Sequence, residues 1–149
     1  MMEVIAMQEV TRYGELGPTW FNTAIKSLAI LASTNELVTS NSLAEELGVE
    51  SSFIRKVLAK LMDENLVKGF GGRYGGYKIQ ADPTQTTIYE VYLALTKDSY
   101  IKEQSLILNK TDQLIAKILT EAESQFSQVL NKYTIEDMKN TLTTQTQNK

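Results

Sequence analysis

The sequence predicts a mostly α-helical chain with one small β-hairpin. Three observations carry that expectation. Two short amphipathic stretches lie on either side of Gly48. A glycine-rich run, GGRYGGYKI from Gly71 to Ile79, follows the second of them and ends in strand-like residues. A long apolar stripe then recurs at helical spacing from Ile115 to Leu130.

Residues 1–18 are weakly patterned and read as an N-terminal extension. From Thr19 to Ser33, Phe21, Ala24, Ile25, Leu28, Ala29 and Leu31 recur at three- and four-residue intervals, the mark of an amphipathic helix. In the polar connector that follows, Leu37 and Val38 can form a very short strand. Ser40 or Asn41 is placed to cap the next helix, whose Leu43, Ala44 and Leu47 face one side. Gly48 sits where that helix must stop, with Val49 plugging the corner. Ser51 or Ser52 then caps a second helix, expected over residues 51–64. Its Ile54, Val57, Leu58 and Leu61 form an i, i+3, i+4, i+7 stripe, while Arg55, Lys56, Ala59 and Lys60 fall on the opposite side. Asn65 suits a left-handed cap after it. Leu66 to Lys68 begins a strand and Tyr77 to Ile79 returns it, with residues 69–76 as the loop between. Two helices around a glycine-centred turn, followed directly by a hairpin, make a winged helix-turn-helix, expected over residues 19–96.

Beyond Pro83, Thr87 to Glu90 read as a capping box that opens a helix with Ile88, Val91, Tyr92 and Leu95 inward. Residues 97–110 look looser. The longest helix is expected from Thr111 to about Asn131. Its stripe of Ile115, Ile118, Leu119, Ala122, Phe126 and Val129 has no use inside a winged helix of this size. It is therefore expected to form a homodimer interface, within dimerisation helices spanning residues 97–145. Thr134 to Asp137 cap a last helix that fades into a polar tail, residues 146–149.

The glycine run does not fit a phosphate-cradling loop. A G-x-G-x-x-G pattern starting at Gly69 and Gly71 would need glycine where Tyr74 stands, and no G-K-[S/T] occurs. A tight hairpin tip fits instead, with Arg73 and Tyr74 carried outward.

Composition narrows the chemistry. With 149 residues, 42% of them hydrophobic, the chain makes one small domain plus an arm or tail. There is no cysteine and no histidine. That excludes disulfides, a Ser–His–Asp triad, Cys/His zinc sites and a cysteine-held iron–sulfur cluster, so neither a cofactor nor an enzyme activity is expected. No apolar run reaches the roughly 20 residues of a membrane span, and no secretory pattern opens the chain. A cytoplasmic protein with no membrane partner is expected. The net charge is −3, yet its distribution is uneven. Residues 1–50 hold two cations and seven acids, residues 51–80 six cations and two acids, residues 81–149 seven cations and nine acids. The basic segment contains both the second helix and the glycine run, so double-stranded DNA is the expected partner. Arg55 and Lys56 are candidates for base edges. Asn41, Ser51 and Ser52 are candidates for phosphate at helix starts. Phe53 either meets a thymine methyl or closes the helix pair. Lys60 meets phosphate or solvent, and Arg73 and Tyr74 form the tip of the wing.

The stretch SNSLAEELGVESSFIRKVLAKLMDENLVKGFGGRYGGYKIQADP resembles the Rrf2 family of bacterial winged-helix transcription regulators. The shared pattern is a Leu-Ala-Glu helix, an Ile-Arg-Lys-Val-Leu run in the second helix, and the Gly-Gly-Tyr wing. It covers Thr19 to about Leu95, and the later long helix matches by position. The resemblance implies a homodimeric cytoplasmic repressor or activator, with repression the expected sense, on a two-fold operator. Its effector, a small molecule or a protein, is left open. Some members hold an iron–sulfur cluster on three cysteines after the fifth helix, and the equivalent residues 97–110 contain none. Trp20 stands where an arginine is usual, Gly71 where the wing arginine is usual, and Asn65 where a glycine is usual. The rival reading is a protein–protein adaptor that keeps the winged helix without DNA binding, motivated by overall acidity and the two missing arginines.

Overall fold

The computed structural model describes residues 17–102 and 108–147. The expected N-terminal extension falls almost wholly outside the described residues, as do residues 103–107 of the looser region and 148–149 of the tail. The elements run α1 Gly17–Ala32, α2 Ser40–Leu47, α3 Ser51–Asp63, β1 Val67–Phe70, β2 Gly76–Ile79, α4 Ile88–Lys102, α5 Lys110–Leu130 and α6 Ile135–Gln147.

α1 is the hub of the fold, with α2, α3, α4, α6 and β2 packed around it. Its Leu28 and Leu31 are fully buried, as are Leu43 from α2, Ile54, Leu58 and Leu61 from α3, Val91 from α4 and Ile135 from α6. Each such side chain contributes about 1.5–3 kcal/mol on burial. Three polar residues, Thr23, Ser27 and Thr86, are buried as well. Ser27 is 0% exposed, and its hydroxyl has no hydrogen-bond partner among the described residues.

The helix-turn-helix forms where the sequence places it, but its caps differ. Thr39, not Ser40 or Asn41, caps α2: it is the last extended residue, and its Oγ1 accepts the Ser42 N–H at 3.1 Å. Ser40 and Asn41 are already helical, so their side chains no longer point back at the first turn. Gly48 ends α2 at φ 70°, with its N–H donated to the Ala44 carbonyl. The N-cap of α3 is Glu50, extended and without a side-chain cap, rather than Ser51 or Ser52. Its carbonyl takes the N–H groups of both Phe53 and Ile54, each at 3.1 Å. Asn65 follows α3 at φ 61°, the left-handed conformation expected there.

In the hairpin, Val67 pairs with Ile79, Lys68 with Lys78, Gly69 with Tyr77 and Phe70 with Gly76. The loop is therefore 71–75, narrower than 69–76, because Gly69, Phe70 and Gly76 are in the ladder. Val38 adds a bridge on the far side of β2, giving and receiving hydrogen bonds with Tyr77 at 3.0 and 2.8 Å. The short strand expected at Leu37–Val38 is thus a single pairing. After the hairpin, Asp82 closes a turn. The Thr84 hydroxyl and then the Thr84 N–H donate to its carboxylate, holding it below its ordinary pKa.

α4 continues to Lys102, so part of the region expected to be loose is helical. α5 starts one residue early, capped by Asn109, whose side chain accepts the Asp112 N–H at 2.8 Å. α6 opens with a reciprocal box: the Thr134 N–H donates to Asp137 Oδ2 and the Asp137 N–H to Thr134 Oγ1. It runs to Gln147, which places two residues of the expected tail, 146 and 147, in helix. Among the described residues no helix is long and apolar enough to cross a membrane.

Candidate nucleic-acid interface

The stripe of α3 decides which of its side chains are free. With Ile54, Val57, Leu58 and Leu61 buried against the core, Ser52, Arg55, Lys56 and Ala59 are exposed, and Ser51 is half-buried. The N–H groups of Ser51 and Ser52 have no carbonyl to reach within the helix, as for the start of any helix. Asn41 is exposed in the first turn of α2. At the wing, Arg73 and Tyr74 form the turn. Tyr74 is 84% exposed, and the Arg73 guanidinium lies 5.6 Å from its ring centroid.

Two candidate contact residues also pack against Trp20. Phe53 is half-buried against the core, with its ring edge-on to Trp20 at 5.1 Å. Lys60 is half-buried rather than on the outer face, its Nζ 5.9 Å from the Trp20 ring centroid. Phe53 and Lys60 are seven residues apart, so both lie along one edge of α3, and Trp20 of α1 braces that edge. Sequence reasoning missed this brace. The available signal was an aromatic at the start of α1 and another at the start of α3. Lys68, on β1, stands over Phe70 at 5.2 Å.

The long helix divides its stripe. Ile115, Ile118, Leu119 and Val129 are 49–62% exposed, Ala122 is exposed, and no residue of α5 is buried. Leu114, which the expected stripe omitted, is 58% exposed beside them. Phe126, by contrast, is half-buried, and its ring meets Tyr92 of the same chain at 4.8 Å. Its place in the stripe is used, at least in part, within the protomer.

A family model described as Rrf2, iron-dependent transcriptional regulator, matches residues 18–141. The chain belongs to the Rrf2 family. Its fold is the winged helix of the solved relatives, and the family is one of transcriptional regulators. Among similar proteins, the chain is 29% identical over 76 residues to YffB of Lactococcus lactis subsp. lactis (strain IL1403), provisionally named an HTH-type transcriptional regulator. That match covers 50% of this chain and 49% of YffB, so it spans about half the length of that relative. Protein aau3 of Rhizobium meliloti (strain 1021) is 27% identical over 124 residues, covering 78% of this chain and 80% of that protein. Among solved structures, CymR, the global cysteine regulator of B. subtilis, shares the fold with a TM-score of 0.65 at 18% identity, over 82% of this chain and 94% of CymR. IscR of T. potens does so with a TM-score of 0.61 at 22% identity, over 80% of each chain.

The Rrf2 description names iron, and the donor set of this member does not fit it. Cluster iron is held by thiolates, with imidazole as the usual replacement, and the chain has neither Cys nor His. Among the described residues no group of three carboxylates gathers into a metal site either.

Proposed function

We propose that this Rrf2 member is a homodimeric, sequence-specific regulator of a two-fold operator. α3 enters the major groove, and the wing lies along the sugar–phosphate backbone or in the minor groove. The observation that carries the reading is the outward face of α3. Arg55 and Lys56 are exposed on a helix whose other face is pinned by four buried side chains. Arginine or lysine to guanine O6 and N7 is the commonest specific base contact. Ser51, Ser52 and Asn41 serve phosphate at helix starts, and Arg73 and Tyr74 serve the backbone from the wing. Phe53 and Lys60 act through Trp20 by holding the edge of α3 in place. A second copy covers the exposed part of the α5 stripe, and the two-fold relation sets half-sites about 34–36 Å apart or a multiple of that. Bound across a promoter, such a dimer represses by occupancy.

A gel shift over fragments of the source genome, with a salt titration, tests this. The expected result is a small set of bound fragments sharing a two-fold motif, with affinity falling steeply as salt rises. Light scattering should give twice the mass of one chain. Weak, fragment-independent binding with no salt slope would refute the reading and leave the adaptor alternative.

A further inference from the structure

α5 is anchored at one end. Just past its C-terminus the chain is laced to the segment that leads into α4. The Ile88 N–H donates to the Tyr133 carbonyl at 2.9 Å, the Ile135 N–H to Thr86 at 3.1 Å and the Glu136 N–H to Pro83 at 3.0 Å. The Thr87 hydroxyl meets Asn131 Oδ1 at 2.9 Å, and Thr87 pairs with Thr134 as an isolated bridge. About a turn up the helix an aromatic staple repeats the connection. Phe126 meets Tyr92 at 4.8 Å, and Tyr92 meets Phe21 of α1 at 6.3 Å. Tyr89 stacks near Tyr92 at 6.0 Å, and its hydroxyl donates to Glu123 at 3.3 Å. Beyond the staple, toward Lys110, the stripe is open to solvent. α5 thus extends from a mounting made of the polar lacing and the staple.

Resting on the two-fold reading above, we infer that the Phe126–Tyr92 contact and the Tyr89–Glu123 hydrogen bond are positioning groups that select the spacing between half-sites. They touch no DNA. They fix the angle between α5, where two protomers meet, and the body that carries α3. The stretch from Lys110 to Phe126 is about 24 Å long at helical rise, so a tilt of about 8° at the staple displaces its far end by about 3.4 Å, the rise of one base pair. In a two-fold dimer the tilt enters twice. A small loosening of the staple thus changes which spacer length the two α3 helices match, without changing the bases each one reads.

The experiment uses full-length protein and duplexes bearing two copies of the selected half-site, with the spacer varied by one and two base pairs in each direction. Anisotropy gives affinity for each duplex, and light scattering and thermal melting report dimer and fold. Wild type should prefer one spacer by more than tenfold over its neighbours. Phe126→Ala should flatten that preference to within about threefold while keeping the same preferred half-site bases and the dimer mass, and Phe126→Tyr, which retains the ring, should restore it. Tyr89→Phe, which removes only the hydroxyl, should flatten it by about twofold, and it decides the matter if Phe126→Ala fails to fold. A sharp wild-type spacer preference retained in the folded, dimeric variants overturns the inference while leaving the two-fold reading intact. Wild type that binds single half-sites as tightly as paired ones overturns the two-fold reading, and this inference with it.

Discussion

Two glycines of the wing loop should respond in opposite ways to the same substitution. A Cβ on Gly75 would stand 2.1 Å from the Phe70 carbonyl oxygen and 2.8 and 2.9 Å from the Gly71 carbonyl oxygen and carbon. All three neighbours are backbone, so no side chain can swing aside. The loop must open by about 1 Å before an alanine fits, and overpacking of this kind costs about 1–3 kcal/mol. A Cβ on Gly71 meets nothing within 4 Å, and its φ is not positive. Gly71→Ala should therefore be neutral or slightly stabilising, by about 0.4–1 kcal/mol through the unfolded state. Since the residues buried around α1 do not include the loop, Gly75→Ala should spend its cost locally, by breaking the Gly75 N–H to Gly72 carbonyl turn at 3.1 Å. Arg73 then loses its position. A charge-assisted contact is worth about 1.5 kcal/mol, so affinity should fall roughly tenfold on every DNA sequence alike, with the salt slope reduced by about one. Anisotropy titrations at several salt concentrations, beside thermal melts, measure both quantities. Equal behaviour of Gly71→Ala and Gly75→Ala, or wild-type binding by Gly75→Ala in a folded protein, would refute the steric reasoning.

Arg55→Ala and Lys56→Ala should each lose about 1–3 kcal/mol of discrimination against wrong bases, whereas Arg73→Ala should weaken all sequences equally; identical profiles for the three would contradict the division between base reader and backbone clamp. Ile118→Glu with Ala122→Glu should give a monomer by light scattering, with affinity for a paired site reduced roughly 100-fold, the scale of lost avidity. Ser27→Ala removes a buried hydroxyl without a partner among the described residues, so it should stabilise by about 1 kcal/mol and raise the melting temperature by about 2–4 °C; a lower melting point would mean that the hydroxyl is satisfied in solution. Protein isolated without oxygen in the presence of iron and sulfide should be colourless, and stoichiometric bound iron would show a ligand set that this chain does not itself contain.

The helices and the hairpin were legible because their signals are local. The Ile54–Leu61 stripe, the turn at Gly48 and the left-handed Asn65 depend on spacing and on the backbone preferences of single residues, and neighbours in the chain supply all of that. The caps slipped by a residue because Thr39, Ser40 and Asn41 are all chemically able to cap. Only the backbone path shows that Thr39 is the last extended one. Lys60 was misplaced for a different reason. By periodicity it borders the buried stripe, and the residue that claims that border, Trp20, lies far back in the sequence on α1.

On its own the sequence determined that this is a winged helix whose second helix and wing lie in a basic segment, that cysteine and histidine ligands are absent, and that an apolar stripe runs along a late helix. Pattern, composition and turn chemistry are properties of the chain before it folds. Only the tertiary structure decided how identical letters divide their work. Gly71 and Gly75 read alike, and the close approach of the Phe70 carbonyl separates them. Phe126 and Ile118 belong to one stripe at one period, and the position of Tyr92 turns the first toward its own chain while the second stays exposed. These outcomes depend on which distant surfaces meet, and no window of sequence contains both surfaces.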